Sequence, residues 1–281
     1  MAPVVSIIAP GNMGAAVGGR LTAHGVKVLT SISGRSAASR ARAAAHGLTA
    51  AADAEIAQAD FLLSIVPPKE AVALAERLAP ALAAADPKPV YVDCNAVSPE
   101  TALRIGEVVA GAGAPYVDGG IIGGPPRDGY TPRLYVSGTD ARRAEVLNQH
   151  GLDVRTVAGG IGAASALKLS YAGINKGMIG LGAAMVLAAK RAGVEDALMS
   201  ELSDSQRALL AQLARGVPDM FAKAERWAPE MEEIANYAGP GGEAEIFRGL
   251  ARLYVRLAKD LNDTQGEIGA LDAFFARPPR K

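Results

Sequence analysis

Cysteine is almost missing from this sequence: Cys94 is one of 281 residues. A lone thiol excludes an internal disulfide and points to a reduced, cytoplasmic setting. Aromatic residues are also scarce, at 5% with a single tryptophan, and charge of neither sign dominates, because 29 Lys and Arg balance 29 Asp and Glu. Zero net charge argues against a general electrostatic grip on nucleic acid or an anionic membrane. The start lacks the basic segment and long apolar core of a signal peptide, so none is expected. The longest apolar stretch, residues 177–189 between Lys176 and Lys190, falls short of the ~20 residues that span a bilayer. It is expected to be the middle of a buried helix. No metal site is expected. What is present is 49% hydrophobic and 21% charged residues, the balance of a globular protein with a sizeable core.

The start is the most informative stretch. Val4-Val5-Ser6-Ile7-Ile8 reads as a buried strand, Ala9-Pro10-Gly11-Asn12-Met13-Gly14 as a tight turn, and residues 15–24 as a helix. Strand, glycine turn and helix in that order build a site for a dinucleotide phosphate. Gly11 lets the backbone approach a pyrophosphate, Gly14 lets the helix pack close to the strand, and the first N–H groups of the helix face the negative charge. Gly11, Asn12, Met13 and Gly14 are therefore candidate cofactor contacts. The usual first glycine of the motif is replaced by Ala9.

Strand-like and helix-like segments alternate to about residue 158. Strands are expected at residues 26–32, 60–66, 90–94, 116–118, 133–137 and 152–157, and helices at 36–46, 69–85, 98–110 and 140–148. Such alternation implies a mostly parallel sheet covered on both faces. Beyond Gly159-Gly160 only helical periodicity remains, with helices expected at 163–192, 194–214, 217–226, 229–238 and 242–260. The breaks are placed at Gly193, Gly216-Val217-Pro218, Pro229 and the glycine run 239–242. The fold class is α/β, a doubly wound Rossmann sheet domain over residues 1–160 followed by an all-helical domain over 161–281. Residues 277–281 are expected to fray.

The second strand ends in Ser31-Ile32-Ser33-Gly34-Arg35-Ser36, without the acidic residue that usually bonds the ribose of NAD. Arg35 offers a planar cation to a 2′-phosphate and Ser36 adds a hydroxyl, so NADP (as NADPH) is favoured over NAD. Arg40 and Arg42 are assigned to a solvated helix face. Val66 and Pro67 end a strand at the ligand-binding edge; they either touch the cofactor through the backbone or simply stop the strand. At the same edge, Asn95 can donate and accept hydrogen bonds to a substrate. Ser98 reads as a helix cap and Cys94 as a small apolar group. The segment 118–124 places Gly123 and Gly124 where backbone groups can approach a ligand, or where a loop is merely flexible.

Lys168 is the reactive candidate. It sits in a small, apolar helix just past the domain junction, where desolvation and a nearby positive nicotinamide would lower its proton affinity. Tyr171 and Asn175 share its stripe, Asn175 two turns or ~10 Å further on.

These segments, in order, resemble the β-hydroxyacid dehydrogenase superfamily, which contains 6-phosphogluconate and 3-hydroxyisobutyrate dehydrogenases. Gly11-Asn12-Met13-Gly14 looks like the family's cofactor turn. Residues 93–99 and 118–124 resemble its two substrate segments, and residues 162–177 its catalytic helix, with Lys168 at the catalytic lysine. The resemblance implies hydride transfer between NADP and a small hydroxy acid or the matching carbonyl. Lys168 would act as general acid/base, with Asn95, Gly123, Gly124 and Asn175 holding the substrate, and two copies would pair through the helical domain. Three departures stand out. The asparagine common four residues after the lysine is Ala172, the serine of the second substrate segment is Ile122, and Asn95 occupies a position where a small hydroxyl residue is common. The substrate 6-phosphogluconate is therefore not expected. An imine reductase, whose second segment Asp118-Gly119-Gly120-Ile121-Ile122 would fit, and a non-catalytic NADPH-binding protein are the competing readings.

Overall fold

A computed structural model describes residues 2–276; the tail expected at 277–281 lies outside them. Two compact units divide the chain between Lys168 and Leu169. The first runs β1 (Val4–Ile8), α1 (Asn12–Ala23), β2 (Lys27–Thr30), α2 (Ala37–Ala45), β3 (Thr49–Ala50), α3 (Asp53–Ile56) and β4 (Phe61–Ser64). It continues through a 3₁₀ turn (Pro68–Glu70), α4 (Ala71–Ala84), β5 (Val90–Asp93), α5 (Pro99–Gly111), β6 (Tyr116–Ile122), β7 (Arg133–Ser137), a 3₁₀ stretch (Ala141–His150) and β8 (Asp153–Thr156).

The strands form one sheet in the order β3-β2-β1-β4-β5-β6-β7-β8. Every neighbouring pair is parallel except β6 with β7. β1, β4 and β5 are mostly apolar because both faces are covered. Val5, Ile7, Leu63 and Val92 pack into one core layer, and Ile8, Leu62, Leu78 and Ile105 into the other. Strand order reverses between β1 and β4, which opens the ligand crevice of a doubly wound sheet at the carboxyl ends of those strands.

The expected alternation holds, with local differences. The short β3 and α3 carry too few residues to show periodicity. The stretch expected as a helix over 140–148 is a 3₁₀ helix. The glycine-rich segment 118–124 is mostly not a loop: Asp118 to Ile122 continue β6 and pair with β7.

In the second unit α6 spans Ala163–Ala192, with its first turn and Lys168 belonging to the sheet unit. It is followed by α7 (Glu195–Ser205), α8 (Arg207–Phe221), α9 (Ala224–Ala238), α10 (Gly242–Leu261) and α11 (Gly266–Phe275). The breaks expected at Gly216-Val217-Pro218 and Pro229 are not breaks: Pro218 lies inside α8 and Pro229 inside α9. A helix-interior proline costs about 3 kcal/mol. Burial of Val217 and Met220 on α8, and of Trp227, Ala228 and Met231 on α9, opposes that cost. Gly216 packs against Ile179, where an added Cβ would stand 2.8 Å from the isoleucine Cδ1. This glycine serves close approach rather than termination.

α6 corrects a second expectation. At 30 residues it is long and apolar enough to cross a membrane by length and composition, yet only 28% of its most apolar window is buried. It is not the wholly buried helix expected. Gly173 and Gly180 receive Phe247 and Tyr254 of α10, and Gly182, half a turn round the helix, receives Leu213 of α8, so these glycines serve packing within the chain. The stripe between those two faces presents Ile174, Leu181 and Met185 to solvent, each more than half exposed.

Candidate functional site

The turn after β1 has the geometry of an anion cradle. A Cβ on Gly14 would lie 2.1 Å from the Ala9 carbonyl oxygen, so only glycine lets α1 seat this tightly on the end of β1. A Cβ on Gly11 would meet nothing within 4 Å, so the turn opens outward. α1 has no side-chain N-cap and no acidic residue in its first turn. Its first N–H groups are thereby presented to a negative group, and the residues present fit a dinucleotide pyrophosphate. Sequence reasoning missed one support. Arg42, assigned to a solvated face, reaches back from α2 and donates to the Pro10 carbonyl at 3.2 Å, tying α2 to the turn.

Past β2, Arg35 is half-buried and its guanidinium lies 3.9 Å from the Glu70 carboxylate. That ion pair is too long and too exposed to contribute much. Ser36 is the N-cap of α2, its hydroxyl accepting from Ser39 N at 3.2 Å. Ser98 likewise caps α5.

A polar row crosses the carboxyl edge of the sheet. Register sets Ile8 beside Ser64, Ser64 beside Asp93, Asp93 beside Asp118, and Asp118 beside Ser137. The four polar members are buried. Asn95 locks the row together. Its Oδ1 accepts from Val66 N at 2.6 Å, and its Nδ2 donates to Ser64 Oγ at 2.7 Å and to Asp93 Oδ1 at 2.5 Å. Asn95 is 2% exposed with both ends of its amide engaged. Its role is to join β4 to β5, and the substrate contact expected of it is not what the geometry shows. The same bond uses the N–H of Val66, while Pro67 leads the turn Pro68–Glu70, so strand termination is the role visible for this pair.

Asp93 also accepts from the Tyr116 hydroxyl at 3.3 Å. Burial raises its carboxyl to about 7, opposed by the Asn95 N–H and reinforced by Asp118 beside it. Burial likewise pushes the Cys94 thiol far above its usual range, in keeping with packing rather than nucleophilic chemistry.

α6 begins on this row. The buried Asp118 carboxylate accepts from Gly162 N, Ala164 N and Ser165 N at 2.9, 3.0 and 3.1 Å, and from the hydroxyls of Ser165 and Ser137 at 2.6 and 2.8 Å. Two residues along β6, Gly120 underlies Lys168: an added Cβ would stand 2.9 Å from the lysine Cβ and 3.1 Å from its Cδ. The lysine stem therefore lies on bare backbone. Its Nζ donates to the Cys94 carbonyl at 3.4 Å, at the end of β5, and the residue is half-buried.

The remaining candidates are placed differently. Gly123 has φ +129°, and the Tyr130 hydroxyl occupies the space a side chain there would need. Gly124 N donates to that hydroxyl at 3.2 Å, so the loop after β6 closes on Tyr130, a residue that sequence reasoning missed. Asn175 lies in the second unit, its amide donating to the Tyr171 carbonyl at 2.9 Å.

A family model described as the NAD binding domain of 6-phosphogluconate dehydrogenase matches residues 4–153, more than half the chain. A second, a domain of unknown function (DUF1932), matches residues 189–257. An uncharacterized 28.5 kDa protein in the 7S RNA 5′ region of Methanothermus fervidus is 25% identical over 215 residues, 75% of this chain and 82% of its own. Among solved structures, the conserved protein MTH1747, of unknown function and described as similar to 3-hydroxyacid dehydrogenases, is 27% identical. It aligns over 92% of this chain and 97% of its own with a TM-score of 0.72. The 3-hydroxyisobutyrate dehydrogenase of Mycobacterium tuberculosis, solved with L-serine, shares the fold at 21% identity, 96% and 99% coverage and a TM-score of 0.71. The chain thus belongs to the 6-phosphogluconate dehydrogenase family of NAD-binding domains, within the β-hydroxyacid dehydrogenase superfamily of NAD(P)-dependent oxidoreductases.

Proposed function

We propose that this protein is an NADP-dependent oxidoreductase acting on a small hydroxy acid or the matching carbonyl, with Lys168 as general acid/base. The observation that carries the reading is the placement of Lys168 Nζ at the carboxyl edge of the sheet, its stem seated on Gly120. When bound, the nicotinamide supplies or accepts the hydride. Lys168 takes the hydroxyl proton in oxidation and returns it to the carbonyl oxygen in reduction. Gly11 to Gly14 hold the pyrophosphate. The missing acid after β2 and the weakly held guanidinium of Arg35 support a 2′-phosphate contact. The single buried Cys94 suits a reduced, cytoplasmic setting.

The test is oxidation of NADPH or NADH against a panel of small oxo acids, semialdehydes and cyclic imines. Turnover of an oxo acid or semialdehyde with NADPH is expected. Turnover of cyclic imines alone would replace this reading with carbon–nitrogen reduction, and NADPH binding with no turnover would replace it with a sensor. In the same preparation Arg35→Ala should weaken NADPH binding about 10- to 100-fold, the worth of one charge-assisted hydrogen bond, and leave NADH binding unchanged. Equal loss for both cofactors would remove the phosphate contact.

We also propose that two copies pair through the second unit. Ile174, Met178, Leu181 and Met185 recur at helical spacing on the open side of α6. Ile174, Met178 and Leu181 border a groove of about 840 Å³ against α10 that is lined by Phe247, Leu250 and Leu253. An apolar stripe of this kind is an association surface. Light scattering should give twice the chain mass, and Leu181→Asp should halve it. A wild-type monomer at micromolar concentration would end the proposal.

A further inference from the structure

Resting on the assignment of Lys168 as the proton carrier, we propose that Asp118 and Gly120 are its positioning residues: one strand, β6, fixes both the start of α6 and the path of the lysine stem. Residues two apart on a strand share a face, so Tyr116, Asp118 and Gly120 face the same side. Asp118 takes two backbone N–H groups from the first turn of α6, the Gly162 N–H just before it, and the Ser165 hydroxyl. Those N–H groups have no partner within the helix, and a buried carboxylate holds them more firmly than a neutral acceptor would. Ser165 is one turn before Lys168, so any rotation or slip of the helix at Asp118 moves the ammonium group directly. Gly120 sets the second constraint, because any side chain there would occupy the space of the Lys168 Cβ and Cδ. Ser137, on the far side of Asp118, donates to its carboxylate and accepts from Ala164 N, which bounds the cap from β7.

The two residues act on Lys168 by different routes and should give the same signature. The first readout needs neither substrate nor cofactor. In protein whose lysines carry ¹³C-methyl groups, the Lys168 resonance, assigned by its loss in Lys168→Ala, should move by more than its line width in Asp118→Asn and in Gly120→Ala. The other lysine signals should stay in place. A merely structural role would lower the melting temperature and leave that resonance where it is, which would overturn the proposal. The second readout is turnover with the carbonyl found in the panel. Each variant should lose about 10- to 100-fold in kcat, the cost of misplacing a reacting group by about 1 Å, with the Kd of NADPH unchanged. In a Lys168→Ala background neither change should lower turnover further, because groups acting as a unit are non-additive. Additive losses would overturn the positioning role while sparing Lys168. Full turnover in Lys168→Ala itself would overturn the assignment on which the proposal rests. If Asp118→Asn does not fold, Gly120→Ala carries the same decision alone.

Discussion

Lys168→Ala is expected to lower turnover about 100- to 10,000-fold, the usual contribution of a positioned general acid or base, while NADPH binds as before. The two effects separate because the groups sit on different strands. The turn proposed to hold the pyrophosphate follows β1, whereas the lysine stem lies on β6 and its ammonium reaches the end of β5. β5 is two strands from β1 in the sheet, or about 10 Å at ordinary strand spacing. Lys168→Arg makes the result specific to proton transfer. Arginine restores the positive charge but holds its proton throughout the physiological range, so turnover should stay low. If arginine restored activity, the lysine would be acting through charge alone. Wild-type turnover in the alanine variant would remove Lys168 from the reaction. Steady-state rates with NADPH and titration of NADPH binding by fluorescence decide among these results.

What could be read in the sequence was local, and what could not was long-range. The turn at Gly11 to Gly14 was legible because strand, glycine and helix are consecutive, and the close approach that requires Gly14 lies within six residues of chain. α6 was legible in its full span because thirty residues without proline keep one periodicity. Lys168 stood out as a charge in that apolar helix and by its resemblance to a catalytic lysine. The role of Asn95 was not legible: a terminal amide at a strand end looks ready for a ligand until Ser64 and Val66, some thirty residues earlier, are seen to take both its ends. Asp118 was read only as the first residue of a glycine-rich segment. Its partners lie 19 positions later at Ser137 and 44 to 47 positions later around the start of α6, beyond any periodicity. Arg42 looked solvated because its acceptor, Pro10 O, is 32 positions away. Pro218 and Pro229 misled for the related reason that a local rule was overridden by the burial of their helices. Each miss is a case of tertiary contact deciding a residue whose local pattern pointed elsewhere.

Asp93→Asn should remove part of the protein's pH dependence. The carboxyl is buried on β5, with Asn95 N–H and the Tyr116 hydroxyl bonding it, Asp118 beside it on β6 and Lys168 reaching over from α6. Burial and Asp118 outweigh the helpful groups, so the folded protein holds this proton up to about pH 7, against an ordinary value of 3.8. The sign follows from proton counts. Below about pH 4 both states are protonated and Asp93 contributes no pH dependence. Between about 4 and 7 the folded chain binds a proton that the unfolded chain has released, so stability falls as pH rises. Above 7 the full penalty is present, roughly 4 kcal/mol at 1.36 kcal/mol per unit. Asparagine keeps Oδ1 for the Asn95 donors and can donate to the Tyr116 oxygen, and it does not titrate. The stability of Asp93→Asn relative to wild type should therefore climb by a few kcal/mol from pH 4 to pH 8, read as the difference between two urea unfolding series. Taking the difference cancels other carboxylates such as Asp260, whose backbone hydrogen bonds hold its carboxyl below the usual range. A flat difference across that window would show that Asp93 is ionised in the folded protein at low pH. A difference that shrinks with pH would mean that its neighbours stabilise the charge, with Lys168 outweighing burial and Asp118 at the edge of β5.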